Sequence, residues 1–308
     1  MGSRALTATA LTFALLLGAL TPALAQDGPT RAAAASEVAT ASPSGDASPG
    51  ALTPLARPDR VELPTSQART GADVVGGRNV PRGSHGFVAL VLMLDRNGDV
   101  AWSCTGTVIR QRWVMTAAHC IGDAAGAAIA TKVTRLDDLK SRHITFATGY
   151  AIAPSYRPRL GRNDVSLLKL EKPVTASPIM LAGKRDDSRR LTPGRPAKVL
   201  GWGAIDATTA SDRMLQGRVF VVPNPTCKAL FGSAWSSGRM LCAGSPTTDV
   251  CFGDSGGPLL IRASNRWIQH GVTNLGDGDC MTGDASVYTK ASALRPWIER
   301  VTGLAHRP

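Results

Sequence analysis

An all-β fold, a sandwich or a barrel, is what this sequence predicts, and three observations carry the expectation. Short apolar or alternating runs of strand length recur from Phe87 onward. Gly, Pro, Asn and Asp separate them. No long stretch of 3.6-residue period appears until the last residues, and many short strands with frequent turn signals are the mark of a sandwich or barrel.

The elements follow in chain order. Residues 1–25 read as a secretory signal: Arg4 is the positive flank, Ala10 to Leu20 the apolar run, and Ala23-Leu24-Ala25 an A-x-A cleavage site. The apolar run is interrupted by Thr12 and Thr21-Pro22 and is short for a membrane span. Residues 26–73 are rich in Ala, Ser, Pro, Thr and Gly. Such a segment buries too little apolar surface to offset its ordering entropy, so it is expected to be a largely unstructured pro-segment or flexible linker, with contact to the folded domain only in its later part, Arg57 to Pro64. At Val74-Val75-Gly76-Gly77 the texture changes, and residues 74–308 form the expected folded domain.

Within that domain Phe87 to Leu94 is an unbroken apolar run closed by the turn signal Asp95-Arg96-Asn97-Gly98. Further strand-like runs are Cys104–Ile109, Trp113–Thr116, Ile144–Ala147, Val165–Leu170, Ala197–Leu200, Gly217–Val222, Gly257–Ile261 and Trp267–Thr273. Ser292–Val301 differs: Leu294, Trp297, Ile298 and Val301 share one helical face, Ser292 is placed to cap it, and Pro296 is tolerated if it falls in the first turn. A short C-terminal helix docked on the β-structure is expected.

Export implies an oxidising compartment, in which the six cysteines pair, and six allow about 15 connectivities. The net charge of +12 favours acidic surfaces and polyanions. The Arg and Lys residues are scattered and no aromatic residues alternate with them, so nucleic-acid binding is not expected.

The chemistry concentrates in Asp249-Val250-Cys251-Phe252-Gly253-Asp254-Ser255-Gly256-Gly257-Pro258. Small neighbours let the Ser255 hydroxyl stand exposed and a substrate backbone come close. The N–H groups of Gly253 and Ser255 can point at one developing oxyanion. A hydroxyl at its ordinary pKa needs a base, and the base an orienting partner. His119, between a strand and Cys120, is the candidate base, and its ordinary pKa near 6.5 suits that task. His85, His143, His270 and His306 lack such a setting. Asp164, at the mouth of the apolar strand Val165–Leu170, is the candidate orienter, since a carboxylate there is costly unless paired.

Thr116-Ala117-Ala118-His119-Cys120, Asn163-Asp164-Val165-Ser166-Leu167-Leu168 and Gly253-Asp254-Ser255-Gly256-Gly257-Pro258, in the order His, Asp, Ser, resemble the chymotrypsin/trypsin family of serine endopeptidases. Gly201-Trp202-Gly203, Met240-Leu241-Cys242-Ala243-Gly244 and Val287-Tyr288-Thr289-Lys290 extend the resemblance over residues 74–308. It implies two packed six-stranded antiparallel β-barrels with a C-terminal α-helix and the site in the cleft between them. It also implies the pairs Cys104–Cys120, Cys227–Cys242 and Cys251–Cys280, each stabilising by about 2–4 kcal/mol. The catalytic group would be His119, Asp164 and Ser255, with Gly253 and Ser255 as the oxyanion hole.

By the same resemblance Asp249 lies at the base of the primary specificity pocket, which points to cleavage after Arg or Lys. Phe252, Asn274, Gly276 and Ser286 would complete the substrate site. Ser286 stands where trypsin-like members carry glycine, so a narrower pocket is expected. Asn274 replaces a serine that supports the aspartate, Leu275 a tryptophan, and Phe252 is an unexpected aromatic at the rim. Val74 would be the mature N-terminus, its amine pairing with Asp254 after a cut behind Asp73. Asp73 is not the basic residue that usually precedes such a cut, so another protease is expected to activate the chain. The expected partners are protein or peptide substrates, protein protease inhibitors and that activating protease. No cofactor, metal, nucleic acid or membrane span beyond the signal is expected, and the product is a secreted, extracellular monomer. Two other readings compete: an inactive homologue serving as a binding module, and a protease of chymotrypsin-like specificity. A third, an α/β-hydrolase esterase, is opposed by the β pattern and by the order of the three residues.

Overall fold

The computed structural model describes residues 51–58, 61, 76–204, 211–275 and 285–304. All lie in one compact unit, Ala41–Pro308. The expected signal 1–25, Val74, Gly276 and Cys280 fall outside the described residues.

In chain order the strands are β1 (Thr53–Pro54), β2 (Arg78–Asn79), β3 (Val88–Leu94), β4 (Val100–Arg110), β5 (Trp113–Thr116), β6 (Gly126–Thr131), β7 (Ile144–Ile152), β8 (Ser166–Leu170), β9 (Met180–Leu181), β10 (Pro196–Gly201), β11 (Leu215–Val221), β12 (Met240–Gly244), β13 (Pro258–Ala263), β14 (Arg266–Leu275) and β15 (Ser286–Lys290). The helices are α1 (Lys184–Arg190), α2 (Asn224–Phe231) and α3 (Ala291–Thr302). Six strands in the order β7-β6-β3-β4-β5-β8 close into a first barrel through the β7–β8 pairing. The order β10-β13-β14-β15-β12-β11 closes a second through β10–β11. Outside the barrels β1 pairs with β7, β2 with β11, and β9 runs parallel to β14.

The unbroken apolar run of β3 has its reason in this arrangement. Val88, Leu90, Leu92 and Leu94 join a cluster shared with Leu200, Trp202, Leu260 and Trp297 of the C-terminal half. Ala89, Val91 and Met93 join a cluster built from the first barrel alone. Both faces are buried, so alternation with polar residues is lost. The β3–β4 hairpin closes on the predicted turn, where Asn97 N–H donates to Asp95 Oδ1 at 2.8 Å.

Three expectations are corrected. Within residues 26–73 contact with the folded domain is not confined to the part after Arg57, because Thr53–Pro54 is a strand on the first barrel. Ser292 does not cap α3: Lys290 flanks the helix without a side-chain cap, and the Ser292 hydroxyl donates to Asp187 of α1 instead. Pro296 is the sixth residue of α3, inside the helix rather than in its first turn.

Candidate active site

The register of β5 against β8 brings the first two groups together. Thr116 pairs with Ser166, so the residues leaving β5 meet those entering β8. Asp164 Oδ1 accepts the backbone N–H of His119 at 2.8 Å, and Asp164 Oδ2 lies 2.6 Å from His119 Nδ1. The Asp164 side chain is 1% exposed and that of His119 29%. A carboxylate on Nδ1 holds the proton there and leaves Nε2 as the basic nitrogen. Burial alone would lower the His119 pKa, but the charge of Asp164 and its hydrogen bond together outweigh it, and the net shift is upward.

The turn into Asp164 is held from two sides. Asn163 adopts φ 56°, and its amide donates to the carbonyls of Pro154 and Ser155 at 2.9 and 3.2 Å. Its Oδ1 accepts Arg239 Nη1 at 2.8 Å from just ahead of β12. Arg162 reaches the carbonyls of Ser233 and Ala234. Sequence reasoning missed Arg239 and Arg162, because each acts on a segment about 70 or more residues away.

Ser255 belongs to the second half of the chain but rests against the first. Thr105 N–H donates to the Ser255 carbonyl at 2.9 Å. The Thr105 hydroxyl donates to the Gly253 carbonyl at 2.8 Å and accepts the Trp202 N–H at 3.0 Å. Cys120 Sγ stands 3.7 Å from the Ser255 carbonyl, and the Cys104–Cys120 disulfide fixes that wall. Gly256, at φ +82°, lies flush on Thr105, Thr116 and Ala117, and a Cβ would stand 2.7 Å from Ala117 N and closer still to Thr116 Oγ1 and the Thr105 carbonyl. So the Ser255 loop rests on Thr105, Thr116, Ala117 and Cys120, the last three being neighbours of His119 in the chain. Among the described residues no hydrogen bond joins Ser255 Oγ to His119, and neither the Gly253 nor the Ser255 N–H is taken by another backbone carbonyl. Thr105 carried no chemical signal in the sequence beyond its place beside Cys104.

Asp249 is buried, and its Oδ1 accepts the Ser286 hydroxyl and the Val250 N–H, each at 2.7 Å. Ser286 therefore acts on the carboxylate directly. Phe252 is 59% exposed. Asn274 does not bond Asp164 among the described residues; its amide donates to the Gly161 carbonyl at 2.5 Å and to Thr289 Oγ1 at 3.1 Å. It supports the loop that leads to Asp164, one step removed from the carboxylate.

Asp254 is buried, with Oδ1 accepting Gly203 N–H at 2.9 Å and Oδ2 accepting Cys251 N–H at 3.0 Å. Burial pushes its pKa up to about 6, against those two hydrogen bonds, and the charge of Asp249 adds to the rise. The pairs Cys104–Cys120 and Cys227–Cys242 are formed, with Cα separations of 6.3 and 6.2 Å. Cys251 is disulfide-bonded too, and its expected partner Cys280 is outside the described residues. Donor atoms of Cys104, His119 and Cys120 lie within 4.8 Å of one another, but the disulfide consumes both sulfurs and leaves one nitrogen, which is no ligand set for an ion.

A family profile described as Trypsin matches residues 74–298. A solved structure described as "Structure of GrC" is similar in fold, with a TM-score of 0.66 and 24% sequence identity, over 74% of this chain and 99% of that one.

Proposed function

The chain belongs to the trypsin family of serine peptidases, and from that membership we propose that it is a secreted serine endopeptidase cutting after Arg or Lys. The observation that carries this reading is the His119–Asp164 pair, bonded through Nδ1 at 2.6 Å, beside a Ser255 loop clasped by Thr105. In the proposed cycle His119 Nε2 takes the Ser255 proton as Oγ attacks the peptide carbonyl. The N–H groups of Gly253 and Ser255 receive the oxyanion. His119 then protonates the leaving amine; water, deprotonated by His119, attacks the acyl carbonyl, and His119 returns that proton to Ser255 Oγ as the acid leaves. Asp164 holds the tautomer throughout.

Asp249 supports the specificity. By the family resemblance Asp249 lies at the base of the primary specificity pocket, where a carboxylate attracts a substrate Arg or Lys. Arg is expected to be preferred over Lys, because its planar fork can bond the carboxylate and the Ser286 hydroxyl oxygen together. Activation would follow a cut behind Asp73: the freed Val74 amine would pair with Asp254 and order the loop. Residues 1–25 direct export in this reading, and the disulfides fit an oxidising compartment.

Two measurements test it. Ser255→Ala should abolish labelling by a serine-directed phosphonate and lower turnover by about 10⁶-fold; labelling that persists refutes the nucleophile. Profiling of protein starting at Val74 on a fluorogenic panel should favour Arg, then Lys, at the cleaved position. Equal or better cleavage after Phe or Leu refutes Asp249 as the selector and turns the reading to chymotrypsin-like specificity, with the exposed Phe252 ring at its rim.

A further inference from the structure

Low-complexity composition gives residues 51–58 no fold of their own, yet they lie along the first barrel. Thr53 pairs with Tyr150 and Pro54 with Gly149. Leu55 N–H donates to the Thr148 carbonyl at 3.2 Å and Ala56 N–H to the Ala125 carbonyl at 2.8 Å. The barrel is open at this place for a topological reason. Strand β6 pairs with β7 only at Ile144, Thr145 and Phe146, whereas β7 runs on to Ile152. Beyond Phe146 the edge of β7 turned away from β8 has no barrel strand to satisfy it, and an extended segment supplies the partner.

Side chains add to the backbone pairing. Leu55 packs on the interior cluster of the first barrel, and Leu52 and Val61 on the cluster shared between the barrels. Arg57 Nη1 is 3.1 Å from Glu171 Oε2, and its guanidinium lies 5.1 Å from the centroid of the Phe146 ring. The barrel is shaped to receive the segment. A Cβ on Gly149 would stand 2.7 Å from the Thr53 carbonyl oxygen, and one on Gly126 2.7 Å from that of Ala56. Neither glycine has a positive φ, so the backbone does not demand glycine there; the approach of the segment does. No cysteine precedes Cys104, so no disulfide ties this segment to the barrel.

We propose that the open edge of β7 is a binding site for the chain's own residues 51–58, with Val61 beside them, and that this segment stays there as a non-covalent companion strand after the chain is cut ahead of Val74. The proposal rests on the protease reading only for the position of the cut, which falls beyond Val61 in the sequence. The test uses the full chain with residues 69–73 replaced by the recognition sequence of a site-specific protease. After cutting, the fragment ending at residue 73 should elute with residues 74–308 on size exclusion, and native mass spectrometry should give the summed mass. Separation of the two pieces under native conditions overturns the proposal. Leu55→Asp on the segment, which leaves the barrel untouched, and Gly149→Val on the barrel should each weaken retention about tenfold or more. Unchanged retention in both overturns the assigned contacts. Phosphonate labelling of Ser255 on the same samples keeps the two readings apart. A labelled 74–308 that has lost the fragment refutes the companion strand alone. A retained fragment without labelling refutes the protease alone.

Discussion

Asp164 contacts His119 twice, once through the backbone and once through the ring, and the second contact sets how the imidazole titrates. Because the net shift is upward from 6.5, the neutral base forms at higher pH than in a free histidine. The acid limb of kcat/KM should therefore have its midpoint above 6.5. Asp164→Asn removes both upward contributions and leaves burial, so the midpoint should move below 6.5, while kcat falls about 10⁴-fold. A pH–rate series on both proteins checks the sign, and a variant whose midpoint stays put would mean that the carboxylate does not govern the ring. The His119–Asp164 pair was legible in the sequence because the proposed chemistry needs particular side chains inside short, recognisable contexts. Thr105, Arg162 and Arg239 were not, because a hydroxyl or guanidinium that bonds a group far along the chain leaves no local pattern.

Elements were legible where burial imposes a period. The apolar face of α3 stood out for that reason, and Trp113–Thr116 stood out instead as a run of large apolar side chains. Strand β6, Gly126–Thr131, is buried throughout but made of small residues that give no alternation. Helix α1 buries no residue at all, so no apolar stripe marks it; it is anchored through Asp187, which bonds His270 Nδ1 at 2.7 Å and the Ser292 hydroxyl. Strand β1 owes its existence to the vacant edge of β7 and not to its own composition. The turn at Gly256 shows how tightly two elements can constrain one residue. Its positive φ, and the backbone of Thr105 and Ala117 beneath it, leave no room for a methyl group. Gly256→Ala should cost about 2–4 kcal/mol of stability and reduce phosphonate labelling of Ser255, read by chemical denaturation and mass spectrometry. A loss below about 1 kcal/mol would mean that the loop can lift from the barrel.

At the scale of the molecule Asp254 links folding to pH in an unusual direction. Its carboxyl titrates near 6 in the fold against an ordinary 3.8, so the folded chain binds that proton more tightly than the unfolded chain does. Stability from this group is therefore present below about pH 4 and is lost as pH rises through 6, by roughly 3 kcal/mol at most. Asp254→Asn should flatten that part of the profile in the uncut chain, measured as the difference in unfolding free energy between pH 4.5 and 7.5. Equal slopes in the two proteins would mean that Asp254 is already charged at the lower pH. After a cut that frees the Val74 amine, the carboxylate form would be favoured and the slope should shrink too. The two-barrel plan itself was legible only through its resemblance to a family, since closure of each barrel depends on pairings such as Gly149 with Lys169 and Gly201 with Leu215, which no local run encodes.

The Thr105 clasp has a further consequence for timing. Ribosomes deliver a chain from its N-terminus, so His119 and Asp164 emerge well before Ser255, and the first barrel can close without a nucleophile in place. Only when the second half has folded do Gly253 and Ser255 reach the Thr105 hydroxyl and amide. Under the proposed function, a truncated or half-synthesised molecule would thus hold a base and an orienter but no blade, and would not damage the machinery that is making it.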